Sequence, residues 1–283
     1  MNIIISRKGF DSISGGVPSP IFPDGKILSL PIPDKNSKIT YKKILWQNNN
    51  IGQIVEELTK EKKKAYYFAH LDPDINKNSL PREDNWQPIF GQLGASQKHL
   101  ENQNITTGDL FLFFGLFRSI IAENGKWKFD PNSSSKHIIW GWLQIEKILK
   151  VDTLDKEKYK WANYHPHFYK GINNSNTLYL GKNKLDIPSL KDKRIDGAGV
   201  FENFSINRQL TADDFKLTSW KLPKWIYPQN DISKLSYHND LSRWQEQENH
   251  TLLQTVSRGQ EFVLNCDNYS IEADQWVANL FSN

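Results

Sequence analysis

The segment after the first few residues rules out a helical start for this chain. The apolar run Asn2–Ser6 predicts a short β-strand, and four glycines and five prolines then occur before Asp34. Proline fixes φ and has no N–H, and glycine carries a large conformational entropy, so this stretch cannot form a helix. We therefore expect an extended, loop-rich segment that is ordered by specific tertiary contacts.

The turn at the start of this segment is a candidate anion-binding site. Gly15–Gly16 allow backbone N–H groups to approach an anion closely, and Arg7 and Lys8 supply positive charge. Asp11 and Asp24 add acceptors for a base, a sugar hydroxyl or a cation. The alternative is a proline-rich loop that packs over the sheet edge, with Arg7 paired to Asp11.

Composition indicates a packed core and no transmembrane helix. The chain has 283 residues, of which 38 % are hydrophobic and 12 % aromatic, which supports a core despite a mean hydropathy of −0.62. The longest apolar runs, such as 110–117, are far shorter than the ~20 residues that cross a bilayer. The first apolar run is also too short for a secretory signal, so we expect a cytoplasmic protein without a membrane partner.

Charge and cysteine content narrow the function classes further. The net charge of +4 permits a polyanionic partner but does not demand one. The single cysteine, Cys266, excludes an internal disulfide and a cysteine-rich zinc site. Because Cys266 lies in an alternating, strand-like segment, we expect it to be a small buried residue rather than a nucleophile.

The apolar pattern predicts an α+β fold with a mainly antiparallel, curved sheet. Helical spacing is found over 51–63 and near the C-terminus, whereas most other apolar runs are short and strand-like. Asn124-Gly125 is typical of a hairpin turn, with a returning strand over 136–149. Further strands are predicted over 65–69, 176–181 and 261–266. No segment has the composition of a linker, so 1–283 is expected to form one domain.

A histidine and two aspartates form a second candidate site. His70, Asp72 and Asp74 stand in the sequence HLDPD, at the end of the predicted strand 65–69. Open sheets bind ligands beyond their strand ends, although that rule comes from parallel sheets. A histidine with an aspartate can hold a divalent metal or act as a base with its orienting partner. The alternative is structural, because Asp-Pro-Asp is also a common turn opener.

Three other histidines carry weaker signals. His99 follows a glycine-containing turn and is either a contact to a phosphate or base, or a structural histidine. His165 and His167 would share one face of a strand, which permits a metal pair, but they have no helical i, i+4 partner. The sequence therefore assigns no metal site and identifies no cofactor.

A series of motifs along nearly the whole chain resembles one family. The motifs are SRKGFD, SGGVPSPIFPDG and SLPIP near the start, HLDPD at 70–74, FGQLGASQKHL at 90–100, GDLFLFFGLFR at 108–118, GWLQI at 141–145 and GQEFV at 259–263. Together they resemble the third type of nucleotide-modification-associated domain, a bacterial and phage family linked to gene neighbourhoods of DNA base hypermodification. The resemblance implies a part in nucleotide modification, and it carries over no residue with a defined catalytic role.

The segment 105–150 is also similar to the core hairpin of PUA-like β-barrels, the group of the ASCH, EVE and YTH domains. In that group a Gly-Asp turn opens a buried strand and a second strand returns beside it, as GDLFLFF and IIWGWLQIEKIL do here. Such barrels hold a flipped or modified base in an aromatic pocket. Trp220 and Trp225 are the aromatic residues least readily explained as core, although sheets also favour aromatic side chains for packing.

These observations predict a protein that binds a nucleotide or an exposed nucleobase of DNA, within DNA modification or phage defence. Four polar residues are expected to face the reacting group: Asp11, His70, Asp72 and Asp74. The expected nucleotide-binding residues are Arg7, Lys8, Gly15, Gly16, Asp24, His99, Trp220 and Trp225. The two candidate sites would then meet around one cavity.

The class of activity stays open between three hypotheses. As an enzyme, the protein would perform group transfer or hydrolysis by general acid–base catalysis, because the sequence has neither a convincing nucleophilic cysteine nor a GxSxG serine elbow. The first alternative is a noncatalytic reader of modified DNA with an aromatic pocket. The second is a metal-dependent nuclease in which Asp72, Asp74 and Glu83 supply the carboxylates.

Overall fold

The fold combines one large sheet, two small sheets and a few helices. The computed structural model describes residues 1–213, 215–230, 232–256 and 261–282. The strands are β1 (Asn2–Arg7), β2 (Ser19–Ile21), β3 (Leu45–Trp46), β4 (Asn49–Asn50), β5 (Ile89–Gln92), β6 (Leu110–Glu123), β7 (Lys126–Phe129), β8 (Lys136–Lys150), β9 (Thr177–Gly181), β10 (Ala198–Val200), β11 (Ser219–Pro223), β12 (Trp244–Glu246), β13 (His250–Gln254) and β14 (Glu261–Asn265). The α-helices are α1 (Gly52–Thr59), α2 (Gly94–Asn102) and α3 (Ser270–Leu280), and short 3-10 helices such as Lys64–Tyr66 and Pro166–Tyr169 occupy several loops. The broad α+β class is confirmed.

The large sheet is arranged around β1 and β6. β1 lies between β14, which is antiparallel to it, and β6, which is parallel to it. β8, β9 and β5 follow β6 in antiparallel order. β2 and β7 pair with the second half of β6, and β10 pairs with β8. The sheet is therefore mixed, because β1 and β2 both run parallel to β6.

Unbroken apolar runs place β1 and β6 in the middle of the core. Ile3, Ile4 and Ile5 are fully buried, and so is the stretch 110–113 of β6. A strand that is covered on both faces has a continuous apolar run, whereas a half-exposed strand alternates. Val277 of α3 belongs to the same apolar cluster, so the closing helix packs with this sheet.

A second apolar cluster orders the glycine- and proline-rich opening segment. Phe10, Leu30 and Tyr41 pack there with Val55 of α1. The N–H of Phe10 donates to the carbonyl of Leu30 at 2.8 Å, which ties two extended pieces of the segment together. Tertiary contacts therefore supply the order that local propensity does not, as expected.

Several local predictions are confirmed. The amphipathic helix is α1, the strand near 176–181 is β9 and the closing helix is α3. Asn124 and Gly125 both have positive φ and join β6 to β7, after which β8 returns along β6. Cys266 is buried, and burial raises the pKa of its thiol to about 12.

The predicted strand over 65–69 is wrong. Lys64–Tyr66 form a 3-10 helix, and Phe68 and Ala69 make only isolated bridges. The side chains of Tyr66 and Tyr67 are exposed, so the segment buries too little apolar surface to add a strand to a sheet. His70 and the residues after it consequently lie in a loop.

The PUA-like barrel is not confirmed. In the part of the chain that the structure describes, β6 and β8 belong to a sheet whose path runs from β14 to β5 without closing. None of the described helices is both long and apolar enough to cross a membrane. The first two residues of the GQEFV motif, Gly259 and Gln260, lie outside the described residues. The prediction that 1–283 form a single domain is not tested by the structure and stays a prediction.

Candidate functional site

A cavity of about 630 Å³ lies between the opening segment and the loop that follows His70. Its lining residues fall within 27–31, 44–48, 71–82 and 200–202, with Gly9, Ile51 and Trp140 in addition. The opening segment and the His–Asp loop therefore share one cavity, and Asp72 and Asp74 are among its lining residues.

The charged residues of the opening turn are not part of that lining. Arg7 Nη2 lies 2.9 Å from Asp11 Oδ2, and the other oxygen of Asp11 accepts two backbone N–H groups of the turn at 2.8 and 2.6 Å. The N–H of Gly16 donates to the carbonyl of Asp11, and a Cβ on Gly15 would lie only 2.4 Å from the Phe10 ring. The turn uses these donors internally, which favours the structural alternative.

Lys8 belongs to a separate buried polar cluster. Lys8 Nζ lies 2.8 Å from Glu261 Oε1, and the side chain of Glu261 is 1 % exposed. Gln92 Nε2 donates to the same oxygen at 2.5 Å. The charge of Lys8 is therefore compensated within the protein and is not directed at the cavity.

Asp72 is the centre of a buried cluster of imidazoles. Its Oδ1 accepts the N–H of Gly91 at 2.8 Å and lies 3.3 Å from His165 Nε2. Its Oδ2 lies 3.4 Å from His167 Nε2 and 3.6 Å from His70 Nε2. The side chains of Asp72, His165 and His167 are 4 %, 0 % and 3 % exposed, whereas that of His70 is 15 % exposed. One carboxylate thus contacts three histidines, and His70 is the imidazole nearest to solvent.

Two of the imidazoles are oriented by partners on their far side. His70 Nδ1 lies 2.7 Å from Asp34 Oδ2, and His167 Nδ1 lies 2.6 Å from Asn176 Oδ1. The Nδ2 of Asn176 donates to the carbonyl of His167, which identifies Oδ1 as the amide atom that faces the ring. Both Nδ1 atoms therefore donate, and both Nε2 atoms are directed at Asp72.

Burial and neighbouring charges act in opposite directions on the pKa values of this centre. Burial raises the pKa of Asp72, but His165, His167 and His70 outweigh it and leave that pKa well below its usual value. Burial lowers the pKa of His70, yet Asp34 and Asp72 together shift it upward. For His165 burial dominates and lowers the pKa. Asp72 is therefore an anion at neutral pH although its side chain is almost fully buried.

Asp74 lies only two positions after Asp72, but its carboxylate makes structural contacts to other side chains. Its oxygens accept both terminal nitrogens of Arg82, at 2.7 and 2.6 Å, and the hydroxyl of Tyr164 at 2.5 Å. The Asp74 side chain is fully buried, and Glu83 is exposed. Asp74 is therefore occupied by Arg82 and Tyr164, whereas the nuclease hypothesis needs it as a metal ligand, and the Asp74–Arg82 pair closes the loop that lines the cavity.

Asp24 and His99 also lie apart from the cavity lining. Asp24 is exposed, and its Oδ2 is 2.9 Å from Lys26 Nζ. His99 is on α2, where its Nε2 lies 3.0 Å from the hydroxyl of Ser236. Neither of these two predicted residues is brought to the Asp72 centre.

The two tryptophans proposed as an aromatic pocket are likewise separate from the cavity. Trp220 is 1 % exposed, and its indole N–H donates to His137 Nδ1 at 3.0 Å. The ring of Trp225 stacks on that of Tyr269, with 5.5 Å between the centroids. Trp220 is a core residue in this fold, because its polar atom and both ring faces are enclosed by the protein.

Comparison with known protein families shows to which family the chain belongs. The sequence model of nucleotide modification associated domain 3 matches residues 2–265, which include every strand from β1 to β14. This chain belongs to the nucleotide modification associated domain 3 family. The resemblance seen in the motifs is thereby confirmed, and the family name associates this domain with nucleotide modification. No curated protein and no solved structure matches the chain.

In this member of the nucleotide modification associated domain 3 family, the sequence did not predict which residues surround Asp72. The His-Pro-His pattern of His165 and His167 was the available signal, but the two residues border and enter the 3-10 helix Pro166–Tyr169 rather than a strand. Gly91, one of the two glycines of the turn expected before His99, lies in β5. These residues come from distant segments of the chain, so no local pattern could connect them to HLDPD.

Proposed function

We propose that this protein is an enzyme of DNA modification or phage defence that binds a nucleotide or an exposed nucleobase in the cavity and performs group transfer or hydrolysis on it. One observation carries the proposal: Asp72 lines the cavity and is also the carboxylate that three imidazoles contact. A buried anion beside titratable imidazoles at a cavity wall is typical of acid–base chemistry. The family name, which associates the domain with nucleotide modification, supports a nucleotide or nucleobase as the substrate.

The cavity has a size and a lining that suit a nucleobase. Its volume of about 630 Å³ falls within the ~300–1,000 Å³ of small-molecule sites. Trp46 offers an aromatic surface on which a base can stack, and the largely buried rings of Trp140 and Phe201 add to the apolar lining. The amides of Asn76 and Asn78 can donate to and accept from the base edges.

Trp140 supplies more specific support for a polar ligand. Among the described residues, its indole N–H is buried without a hydrogen-bond partner, although the residue lines the cavity. A buried donor without a partner is costly, so a carbonyl or ring nitrogen of a base that reached it after a small rotation of the Trp140 ring would stabilise it. Lys77 is an exposed lining residue and can hold a phosphate at the cavity mouth. In this proposal Lys77 takes the anion-binding part that the sequence assigned to Arg7 and Lys8.

Ligand binding is tested with two matched tryptophan variants. Trp46 lines the cavity and stacks on Phe22 with 4.5 Å between the ring centroids, whereas Trp225 lies elsewhere. Loss of one stacked base costs about 1–3 kcal/mol, so Trp46→Ala should weaken binding of deoxynucleotides or short single-stranded DNA roughly tenfold to hundredfold. Trp225→Ala should bind as the unaltered protein does, measured by calorimetry. A loss of DNA binding confined to Trp225→Ala would instead favour the modified-DNA reader.

Catalysis is tested by mass spectrometry of nucleosides. DNA and nucleotide pools are compared between cells that carry the gene with its neighbours, cells without it, and cells with Asp72→Asn. The expected result is a base or nucleotide product that depends on the gene and disappears with Asp72→Asn. His99→Gln is the control, because His99 is outside the Asp72 centre. Identical nucleoside profiles in all four strains would refute the catalytic proposal.

A further inference from the structure

We infer that the Asp72 centre binds a divalent transition-metal ion such as Zn²⁺ through His70 Nε2, Asp72 Oδ2 and His167 Nε2. One ligand atom from each of these residues lies within 4.8 Å of the others. The inference deepens the proposed function, on which it rests for the purpose of the ion but not for its binding. Three arguments from the local geometry support it.

The first argument is the spacing of the ligand atoms. Asp72 Oδ2 is 3.6 Å from His70 Nε2 and 3.4 Å from His167 Nε2. Hydrogen bonds between such groups are shorter, near ~2.9 Å. Two ligands of a tetrahedral ion with bonds of ~2.0–2.1 Å lie roughly 3.3 Å apart. The observed distances therefore fit ligands that share an ion better than they fit direct hydrogen bonds.

The second argument is the orientation of the two rings. Asp34 and Asn176 each accept from an Nδ1, so in the neutral imidazoles of His70 and His167 the Nε2 lone pair points toward the carboxylate of Asp72. A cation placed between these lone pairs and the carboxylate would be coordinated by both rings and by Asp72. Metal-binding histidines commonly donate their other N–H to a carboxylate or carbonyl, which fixes the tautomer. Asp34 and Asn176 occupy that supporting position here.

The third argument is the state of His165. This imidazole is fully buried, and within the described part of the chain neither of its ring nitrogens has a hydrogen-bond partner. Its Nε2 lies 3.3 Å from Asp72 Oδ1, on the other side of the carboxylate from the two ligand histidines. A buried polar group without a partner commonly marks a missing ion or water. The unpartnered imidazole therefore marks the Asp72 centre as one that lacks a bound ion or water.

The ligand set also indicates what the ion would do. Two histidines and one carboxylate leave a coordination position open, which is the arrangement of catalytic rather than structural zinc sites. Asp72 is the ligand that also lines the cavity, so it connects the ion to the cavity wall. A metal-bound water ionises near neutral pH, so this centre can supply the acid–base group of the proposed enzyme.

The test is the binding of Co²⁺ to the full-length protein after treatment with a chelator. Equilibrium dialysis and visible absorption are expected to show one Co²⁺ per chain, with the intense bands of tetrahedral coordination. Asp72→Asn and His167→Gln should each weaken binding at least tenfold, and Asn176→Ala should weaken it about tenfold to hundredfold. His99→Gln is the matched control and should bind Co²⁺ as the unaltered protein does, since its imidazole lies at Ser236.

Folding is followed in the same samples by circular dichroism and thermal melting. Excess Zn²⁺ should raise the melting temperature of the unaltered protein and of His99→Gln, but not that of Asp72→Asn. Failure of the unaltered protein to bind Co²⁺ at tens of micromolar, or equal binding by Asp72→Asn and His167→Gln, would overturn the inference. Metal binding without any gene-dependent nucleoside product would support the metal site and refute the proposed function. A nucleoside product formed by chelator-treated protein would support the proposed enzymatic activity. It would refute the catalytic role that is assigned to the metal ion.

Discussion

Gly91→Ala tests the geometry of the Asp72 centre through a single methyl group. Gly91 lies in β5, and its N–H donates to Asp72 Oδ1 at 2.8 Å. A Cβ on Gly91 would be 2.3 Å from Cδ2 and 2.6 Å from Nε2 of His167. The φ angle of Gly91 is outside the left-handed region, so alanine is compatible with the backbone. Glycine is required at this position by the close approach of His167 to the strand.

The loss of folding stability expected for Gly91→Ala follows from the distance by which the His167 imidazole must move. Carbon atoms in contact are about 3.5–4.0 Å apart, so the ring of His167 must retreat by more than about 1 Å. That displacement breaks the 2.6 Å hydrogen bond between His167 Nδ1 and Asn176 Oδ1. Overpacking costs about 1–3 kcal/mol and a lost buried hydrogen bond about 1 kcal/mol, so Gly91→Ala should reduce the free energy of unfolding by about 2–4 kcal/mol.

The assay is urea denaturation followed by tryptophan fluorescence, together with the Co²⁺ titration. Gly181→Ala in the neighbouring strand β9 is the control, because a Cβ there would lie 3.0 Å from Ala198, 3.3 Å from Pro88 and 3.4 Å from Leu143, which is a milder overlap than at Gly91 and away from the imidazoles. Gly181→Ala should cost less than about 1 kcal/mol and leave Co²⁺ binding unchanged. If Gly91→Ala loses no more stability than Gly181→Ala and binds Co²⁺ equally well, His167 does not approach β5 as described and the reasoning fails.

Two further predictions concern the residues around the site and the core. Burial lowers the pKa of His137 to about 3, with Arg7 as a smaller cause. The unfolded chain therefore takes up the proton first as the pH falls below ~6.5, and this residue should remove about 2 kcal/mol of stability between pH 7 and pH 5. Urea titrations at the two pH values should show that His137→Gln loses less stability on acidification; an equal loss would contradict the buried, neutral imidazole that accepts from Trp220. Arg82→Met should destabilise the fold by about 3–5 kcal/mol, because it leaves the buried Asp74 charge unpaired, whereas Arg82→Met with Asp74→Asn should recover part of that loss. Equal denaturation midpoints for Arg82→Met and the unaltered protein would contradict the ion pair.

Features that depend on neighbours in the chain were open to prediction from the amino-acid sequence. Apolar spacing identified α1 and α3, the Asn-Gly pair identified the hairpin, and an unbroken apolar run marked β6 as buried. The motifs identified the family, since they are spread over nearly the whole chain. HLDPD was recognised as a place where chemistry is expected, because a histidine and aspartates stand close together in it.

Which of those polar residues face one another was decided by tertiary structure. Arg7 and Asp11 neutralise each other, and Arg82 occupies the oxygens of Asp74, so charges that looked available are already paired. Asp72, by contrast, receives imidazoles from a distant loop, which the pairing of β5 with β9 helps to hold in place. A short charged motif can be satisfied equally well by a near neighbour or by a remote side chain. Only the packing of the whole chain, through burial and close contact, selects between those outcomes.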